Sequence, residues 1–357
     1  MKLTNASRIL TAGLSRRAFV GASLASAATL VLVGCNSGSG SADGSTDASS
    51  DSKAASGEKT KITFCLDYTP NTNHTGIYVA QNKGFFADEG LEVEIVQPAD
   101  GTAEGAIGTG QAQLGVSYQD YLAAAYDAGN TGLTAVAAVI QHNTSGIMSR
   151  AEDGITHAAL MEDHVYTTWD MAVEQATIKQ VMTTDGGDFS KLKMVPFTVD
   201  DEVQGLKANM FDCVWVYEGW AVQNAAVQDY PVNYFSFKDM DDVFDFYTPV
   251  LAANNDFMKS NPDAVKAFLR AAKKGYEFAV EHPEDAAQIL CDEVPELDSA
   301  LVEASAKYLA DQYTADASSW GVIDGKRWAA YFQWLNDNDL VENKLDVNAG
   351  FDTSYLA

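Results

Sequence analysis

Short apolar runs with strand spacing alternate with stretches of helical spacing, and the alternation runs through two successive sets. Residues 61–66, 91–96, 114–118 and 133–140 read as strands, with helices expected over 77–86, 101–110 and 121–128. A second set follows: strands over 165–169, 193–197, 213–217 and 233–237, with helices over 171–183, 200–209 and 221–229. Strands separated by helices must return by crossovers and therefore lie parallel. Two such sets predict an α/β protein of two lobes, each a βα sheet domain. Beyond Tyr247-Thr248-Pro249-Val250-Leu251 the chain is expected to turn helical. Asn261-Pro262-Asp263 caps and starts a helix, His282-Pro283-Glu284 ends it and starts another, and helices over 297–312 and 327–340 precede an exposed tail.

The first 34 residues stand outside that pattern. Lys2, Arg8, Arg16 and Arg17 form a basic start without an acid, and residues 19–33 are apolar but too short for an ordinary spanning helix. Ser15-Arg16-Arg17-Ala18-Phe19-Val20 resembles a twin-arginine export signal, and Leu32-Val33-Gly34-Cys35 a lipobox. In that order they predict export and a lipid anchor on Cys35, with the protein held outside the cytoplasm. Residues 36–57 are mostly Ser, Gly, Ala and Asp, with no large apolar side chain, and predict a flexible tether over 35–58. The formal net charge is −27, and four of the basic residues belong to the leader. Such a body repels nucleic acid and anionic lipid. Cys65, Cys213 and Cys291 are odd in number and lack metal-ligand spacing, so buried thiols are expected.

Polar clusters sit where strands run into helices, the place where α/β proteins turn backbone N–H groups toward ligands. The densest is Asp67-Tyr68-Thr69-Pro70-Asn71-Thr72-Asn73-His74-Thr75-Gly76; others are Ser117-Tyr118-Gln119-Asp120, Gln141-His142-Asn143-Thr144-Ser145-Gly146 and Glu218-Gly219-Trp220. Gly105, Gly108 and Gly110 are wrongly ordered for a dinucleotide loop and no phosphate-binding Lys follows, so no cofactor is expected. Asp67, His74 and His142 offer no local chelate, so no metal is expected either. No Gly-x-Ser-x-Gly nucleophile turn is present.

The run from Asp67 to Ala80, followed by Lys83-Gly84-Phe85-Phe86, resembles the opening of the thiamine-precursor-binding lipoproteins of ABC importers. These share a superfamily with the yeast pyrimidine synthase of thiamine biosynthesis. The likeness continues at Gly115-Val116-Ser117-Tyr118-Gln119, Gln141–Gly146, Trp215-Val216-Tyr217-Glu218-Gly219-Trp220 and Tyr247–Leu251. It implies a two-lobed, type II periplasmic-binding-protein-like fold with a helical C-terminal extension. It also implies a non-enzymatic receptor that holds a formyl-aminopyrimidine or hydroxymethylpyrimidine in the interlobe cleft and passes it to a membrane permease. The rivals are a pyrimidine-synthase-like enzyme and a binding protein for another flat or sulfonated solute. The Cys-rich motif of the yeast-type synthase is absent, and the site motifs hold no Lys or Arg for a sulfonate.

On this reading lobe one is residues 59–141 with 250–357, lobe two is 142–249, and the junctions form a hinge. A monomer is expected. The ligand-contacting candidates are Asp67, Asn71, Asn73 and His74 from the opening cluster, Tyr118 and Gln119 after the third strand, and Asn143. Trp169, Tyr217 and Tyr247 are candidate flat walls; Trp215, in mid-strand, reads rather as core. Glu174 is either a first-turn carboxylate favoured by the helix dipole or a ligand contact. Glu218, ending an apolar strand, needs a partner if buried, and an aminopyrimidine would supply one. The loop over 150–164 reads as peripheral.

Overall fold

The computed structural model describes residues 59–98, 102–197 and 201–356; the export leader, Cys35 and the tether lie outside the described residues. β1 (Thr60–Cys65) leads through the polar cluster into α1 (Thr75–Asn82) and α2 (Phe85–Asp88). β2 (Leu91–Val96), α3 (Ala103–Gly108), β3 (Leu114–Ser117), α4 (Gln119–Asp127) and β4 (Leu133–Ala138) complete the first run. β5 (Ser145–Arg150), β6 (Val165–Thr168), α5 (Ala172–Thr184), β7 (Lys193–Pro196) and α6 (Glu202–Lys207) follow, then β8 (Cys213–Tyr217), α7 (Gln223–Val227) and β9 (Val232–Ser236). β10 (Val250–Asn254) precedes the helices α8 (Asn255–Ser260), α9 (Pro262–Glu281), α10 (Pro283–Glu293), α11 (Ser299–Ala310) and α12 (Gly325–Asp337).

The strands form two sheets, ordered β2-β1-β3-β10-β4 and β7-β6-β8-β5-β9. The two orders correspond position by position. β1 runs parallel to β2 and β3, and β6 parallel to β7 and β8. β10 is antiparallel to β3 and β4, and β5 antiparallel to β8 and β9. Each antiparallel strand is the one that arrives from the other sheet: the chain crosses after β4 and returns after β9. The result is a two-lobed α/β fold.

Two strands differ from the sequence reading. The sequence pattern puts Arg150 in a peripheral loop and turns the chain helical beyond Leu251; instead β5 and β10 are strands buried along their whole lengths. A strand covered on both faces needs no alternation, and β5 reads Ser-Gly-Ile-Met-Ser-Arg, with only Ile147 and Met148 large and apolar. The expected exposed tail also differs. Ala135 N–H donates to Gly350 O at 2.9 Å, and Asp352 N–H to Ala135 O at 2.8 Å, so the tail covers β4 at the sheet edge.

The returning crossover is held by aromatic packing. Tyr331, Trp334 and Trp328 of α12 meet Phe246, Phe244 and Tyr247 at ring-centroid distances of 4.1, 5.1 and 6.3 Å. α9 buries Val265, Phe268, Leu269, Ala272, Tyr276 and Ala279, the face its spacing predicts. It crosses α1 at Gly275, where an added Cβ would lie 1.9 Å from Gly76 O. Gly275→Ala must push the two helices apart, and overpacking of this kind costs about 1–3 kcal/mol. Urea unfolding should show a lower midpoint with an unchanged slope; an unchanged midpoint would contradict this contact. Among the described residues no helix is long and apolar enough to cross a membrane.

Candidate functional site

The polar cluster after β1 is folded by its own side chains. Asn71 Oδ1 accepts from Asn73 N–H at 2.9 Å, capping a 3-10 turn over Thr72–His74. Asn71 N–H donates to His74 Nδ1 at 3.1 Å. That nitrogen is an acceptor, so the ring proton sits on Nε2, which faces Asp67 Oδ1 at 2.6 Å. The other Asp67 oxygen accepts from the Tyr118 hydroxyl. Burial pushes the Asp67 carboxyl up, but the bonds from His74 and Tyr118 outweigh it and hold it below the usual range. His74 is fully buried. Asn73 O accepts from Tyr276 Oη at 2.8 Å, fixing the cluster to α9.

Aromatic rings bridge from this cluster to the second sheet. Tyr118 stacks on Tyr217 with centroids 6.4 Å apart and planes at 20°, and Tyr121 lies 5.3 Å from Tyr118. Trp215 packs on Phe237 at 4.3 Å and on Trp169 at 5.7 Å. Trp169 is 47% exposed, which makes it a lip rather than a floor. Along β8 the side chains alternate. Val214 and Val216 pack with Val203, Leu206 and Ala225, whereas Trp215 belongs to the cluster on the opposite face. Tyr217 shares the Trp215 side. Glu218, which opens a π-helical turn after β8, accepts from Tyr308 Oη of α11 at 2.7 Å. Burial first, and then Glu218, push the Tyr308 hydroxyl well up.

Other candidates are bonded within the protein. Gln119 donates to Trp328 O at 2.8 Å and accepts from Tyr247 N–H at 3.0 Å, while its own N–H donates to Tyr247 O at 3.0 Å. Tyr247 is buried, its hydroxyl accepting from Asp324 N–H at 2.6 Å and its ring under the Arg327 guanidinium at 4.1 Å. Asn143 donates to Phe244 O at 2.8 Å, accepts from Ser145 N–H at 2.8 Å, and gives its N–H to Asp245 at 2.9 Å. Glu174 accepts from Tyr166 Oη at 2.7 Å, Thr168 Oγ1 at 2.8 Å and Trp169 N–H at 3.0 Å, and from the N-cap Met171 N–H at 3.4 Å, as the third residue of the capping box that opens α5. His142 pairs with Asp245 at 2.7 Å and lines an open, mixed-charge pocket with Lys238, Lys326 and Arg327, away from the aromatic walls.

With this geometry the relatives can be placed. Residues 71–286 match the family model described as NMT1/THI5 like. The chain belongs to the NMT1/THI5-like family. It is 27% identical over 298 residues to the formylaminopyrimidine-binding protein of Halalkalibacterium halodurans, covering 80% of this chain and 88% of that one. A 4-amino-5-hydroxymethyl-2-methylpyrimidine phosphate synthase of Saccharomyces cerevisiae is 24% identical over 252 residues, covering 68% and 73%. The periplasmic aliphatic sulphonate binding protein of Escherichia coli superposes with a TM-score of 0.65 at 14% identity, covering 83% of this chain and 99% of that chain. That likeness establishes the fold alone.

Sequence reasoning passed over part of this member's site. Asp120 opens α4 as an ordinary first-turn acid would, yet its Oδ1 is buried without a hydrogen-bond partner. Burial pushes its carboxyl up to about 6, against backbone N–H groups that pull it down and with Glu104 adding to the rise. Trp215 Nε1 and Ser145 Oγ are buried and unpartnered as well. For Trp215 a signal existed: two residues before Tyr217 on a strand, it must share the Tyr217 face. For Asp120 the deciding contact is the pairing of Gln119 with Tyr247, which no local pattern announces.

Proposed function

We propose that this protein is an extracytoplasmic solute receptor, tethered by a lipid on Cys35, that delivers a thiamine pyrimidine precursor to an ABC permease. The ligand, of the formyl-aminopyrimidine or hydroxymethylpyrimidine type, lies between the two sheets. The observation that carries the reading is a pair of stacked aromatic walls, Tyr118 and Tyr217, beside the carboxylates of Asp67 and Asp120. A small flat heteroaromatic needs apolar walls and a few directed polar groups. A sulfonate, acceptor only, would meet carboxylates there. The named function of the Halalkalibacterium halodurans relative points the same way.

On this reading residues 59–141 with 250–357 form one lobe and 142–249 the other, and the ligand closes them about the two crossovers. Tyr118, Tyr217 and Trp169 are its walls, and Asp67, Asn73 and His74 shape the rim. Asn71, Gln119, Asn143, Glu174 and Tyr247 hold that frame from behind. The protein works as a monomer and returns its ligand unchanged.

Mass spectrometry of ligand released from the purified protein, followed by calorimetric titration, tests this. A formylated or hydroxymethylated aminopyrimidine is expected, bound reversibly, with a smaller radius of gyration in the bound state by small-angle scattering. Release of a sulfonate, or of a chemically altered pyrimidine, would overturn the reading.

A further inference from the structure

Three buried polar atoms lack a partner around the aromatic walls, and each comes from a different element: Asp120 Oδ1 from α4, Ser145 Oγ from β5 and Trp215 Nε1 from β8. A buried polar group left unpaired costs about 1–3 kcal/mol, and native proteins leave few of them. Three around one site therefore call for a common explanation.

The backbone brings them together. The reciprocal bonds between Gln119 and Tyr247 set Asp120 beside Thr248. Ser145 is the register partner of Tyr217, and Ile147 that of Trp215, so Ser145, Tyr217 and Trp215 share one face of the second sheet. Asp120, Tyr121 and Asp67 all act electrostatically on the Tyr217 hydroxyl, and the Thr248 side chain hydrogen-bonds it. The three unpaired atoms thus come from elements that meet at the stacked pair Tyr118 and Tyr217.

Their chemistry is complementary. A carboxylate oxygen only accepts, an indole N–H only donates, and the Ser145 hydroxyl does either. The matching solute is flat, carries a donor for Asp120 and presents an acceptor to Trp215. Glu218 does not fit the first role, because it opens the helical turn after β8 and is already engaged by Tyr308.

We infer that Asp120 is the specificity-determining residue of the site, accepting a hydrogen bond from the exocyclic amino group of an amino-heteroaromatic ligand, while Trp215 Nε1–H donates to a carbonyl or ring-nitrogen acceptor on the same ligand. The inference rests on the pyrimidine reading above and adds which groups do the discriminating.

Calorimetry with two probes separates the two claims: a formylated 4-aminopyrimidine and the same compound lacking the 4-amino group. Wild-type protein should prefer the amino compound. Asp120→Ala should lower affinity for it by about 10- to 150-fold, the range of a hydrogen bond to a charged group, and leave the des-amino compound nearly unaffected. Trp215→Phe keeps a ring but removes the N–H, and should weaken both probes. The unfolding midpoint of Asp120→Ala should match or exceed that of the wild type, since a buried carboxyl with one unpaired oxygen is removed. If the wild type binds neither probe, the pyrimidine reading and this inference both fall. If the wild type binds but Asp120→Ala loses nothing, or loses both probes equally, the inference alone falls.

Discussion

Arg150→Ala should lower the unfolding free energy by about 3–5 kcal/mol, the loss expected when one partner of a buried charge cluster is removed. Arg150 ends β5 and is 6% exposed. Its guanidinium donates to Phe211 O at 2.7 Å and Leu206 O at 3.3 Å, pairs with Asp153 at 2.8 Å, and binds Asp212. Asp212 also accepts from Val165 N–H at 2.8 Å, so the cluster locks β5, β6 and the chain entering β8 together. Truncation strands two carboxylates and two carbonyls. Arg150→Met restores the stem's volume but none of the donors, and should remain nearly as unstable as the Ala variant. Burial pushes the Asp212 carboxyl up, but Val165 N–H and Arg150 bring it below its usual range. A carboxyl held low stabilises the fold above its unfolded pKa, near 4, and that contribution is lost as pH falls through the folded value. The wild type should therefore lose stability below about pH 4, and the variant should lose less there. Urea titrations at neutral and acid pH measure both effects. A neutral-pH difference under about 1 kcal/mol would mean that the cluster is worth no more than a surface ion pair.

The same residue marks the limit of what the sequence reveals. The βα alternation gave eight of the strands, because strands such as Leu91–Val96 and Cys213–Tyr217 carry their own pattern and β-branched content. The face of α9 was legible for the same reason: its apolar residues repeat at helical spacing, and burial follows the repeat. β5 carries no such repeat. Its polar residues are buried because distant groups satisfy them: Phe211 O, Leu206 O and Asp212 for Arg150, and Ile155 O for the Ser149 hydroxyl. Those partners come together only in the fold. The site divides in the same way. The position of the polar clusters at strand ends was readable, whereas Trp215, which the strand alternation sets on the Tyr217 face, read as core. Which of the adjacent residues Gln119 and Asp120 is used within the protein depends on a bond to Tyr247, 128 positions away in sequence.

Asp67→Ala should be nearly as damaging as Arg150→Ala, for a different reason. Asp67 accepts from two donors at once, His74 Nε2–H and the Tyr118 hydroxyl. Since Asn71 N–H already occupies His74 Nδ1, the imidazole cannot turn its proton elsewhere without breaking the cap of the opening turn. Truncation therefore leaves two buried donors unpaired, each costing about 1–3 kcal/mol, so a combined loss of about 2–6 kcal/mol is expected. Asp67→Asn offers a way out. Its amide oxygen can accept from His74 while its amide N–H donates to Tyr118 Oη. The Asn variant should lose less than half of what the Ala variant loses. The wild-type carboxyl is held below its usual range, so its charge stabilises the fold above about pH 4 and ceases to do so as pH falls through the lowered value. The Asn variant should lack that acid-side loss. Tyr118 is also one wall of the proposed site, stacked on Tyr217, so freeing its hydroxyl should loosen the wall. Ligand affinity should fall in the order wild type, Asn, Ala. Urea midpoints and calorimetric titrations on the three proteins measure both rankings. Equal losses for Asn and Ala would show that charge alone, and not the pair of hydrogen bonds, makes Asp67 matter.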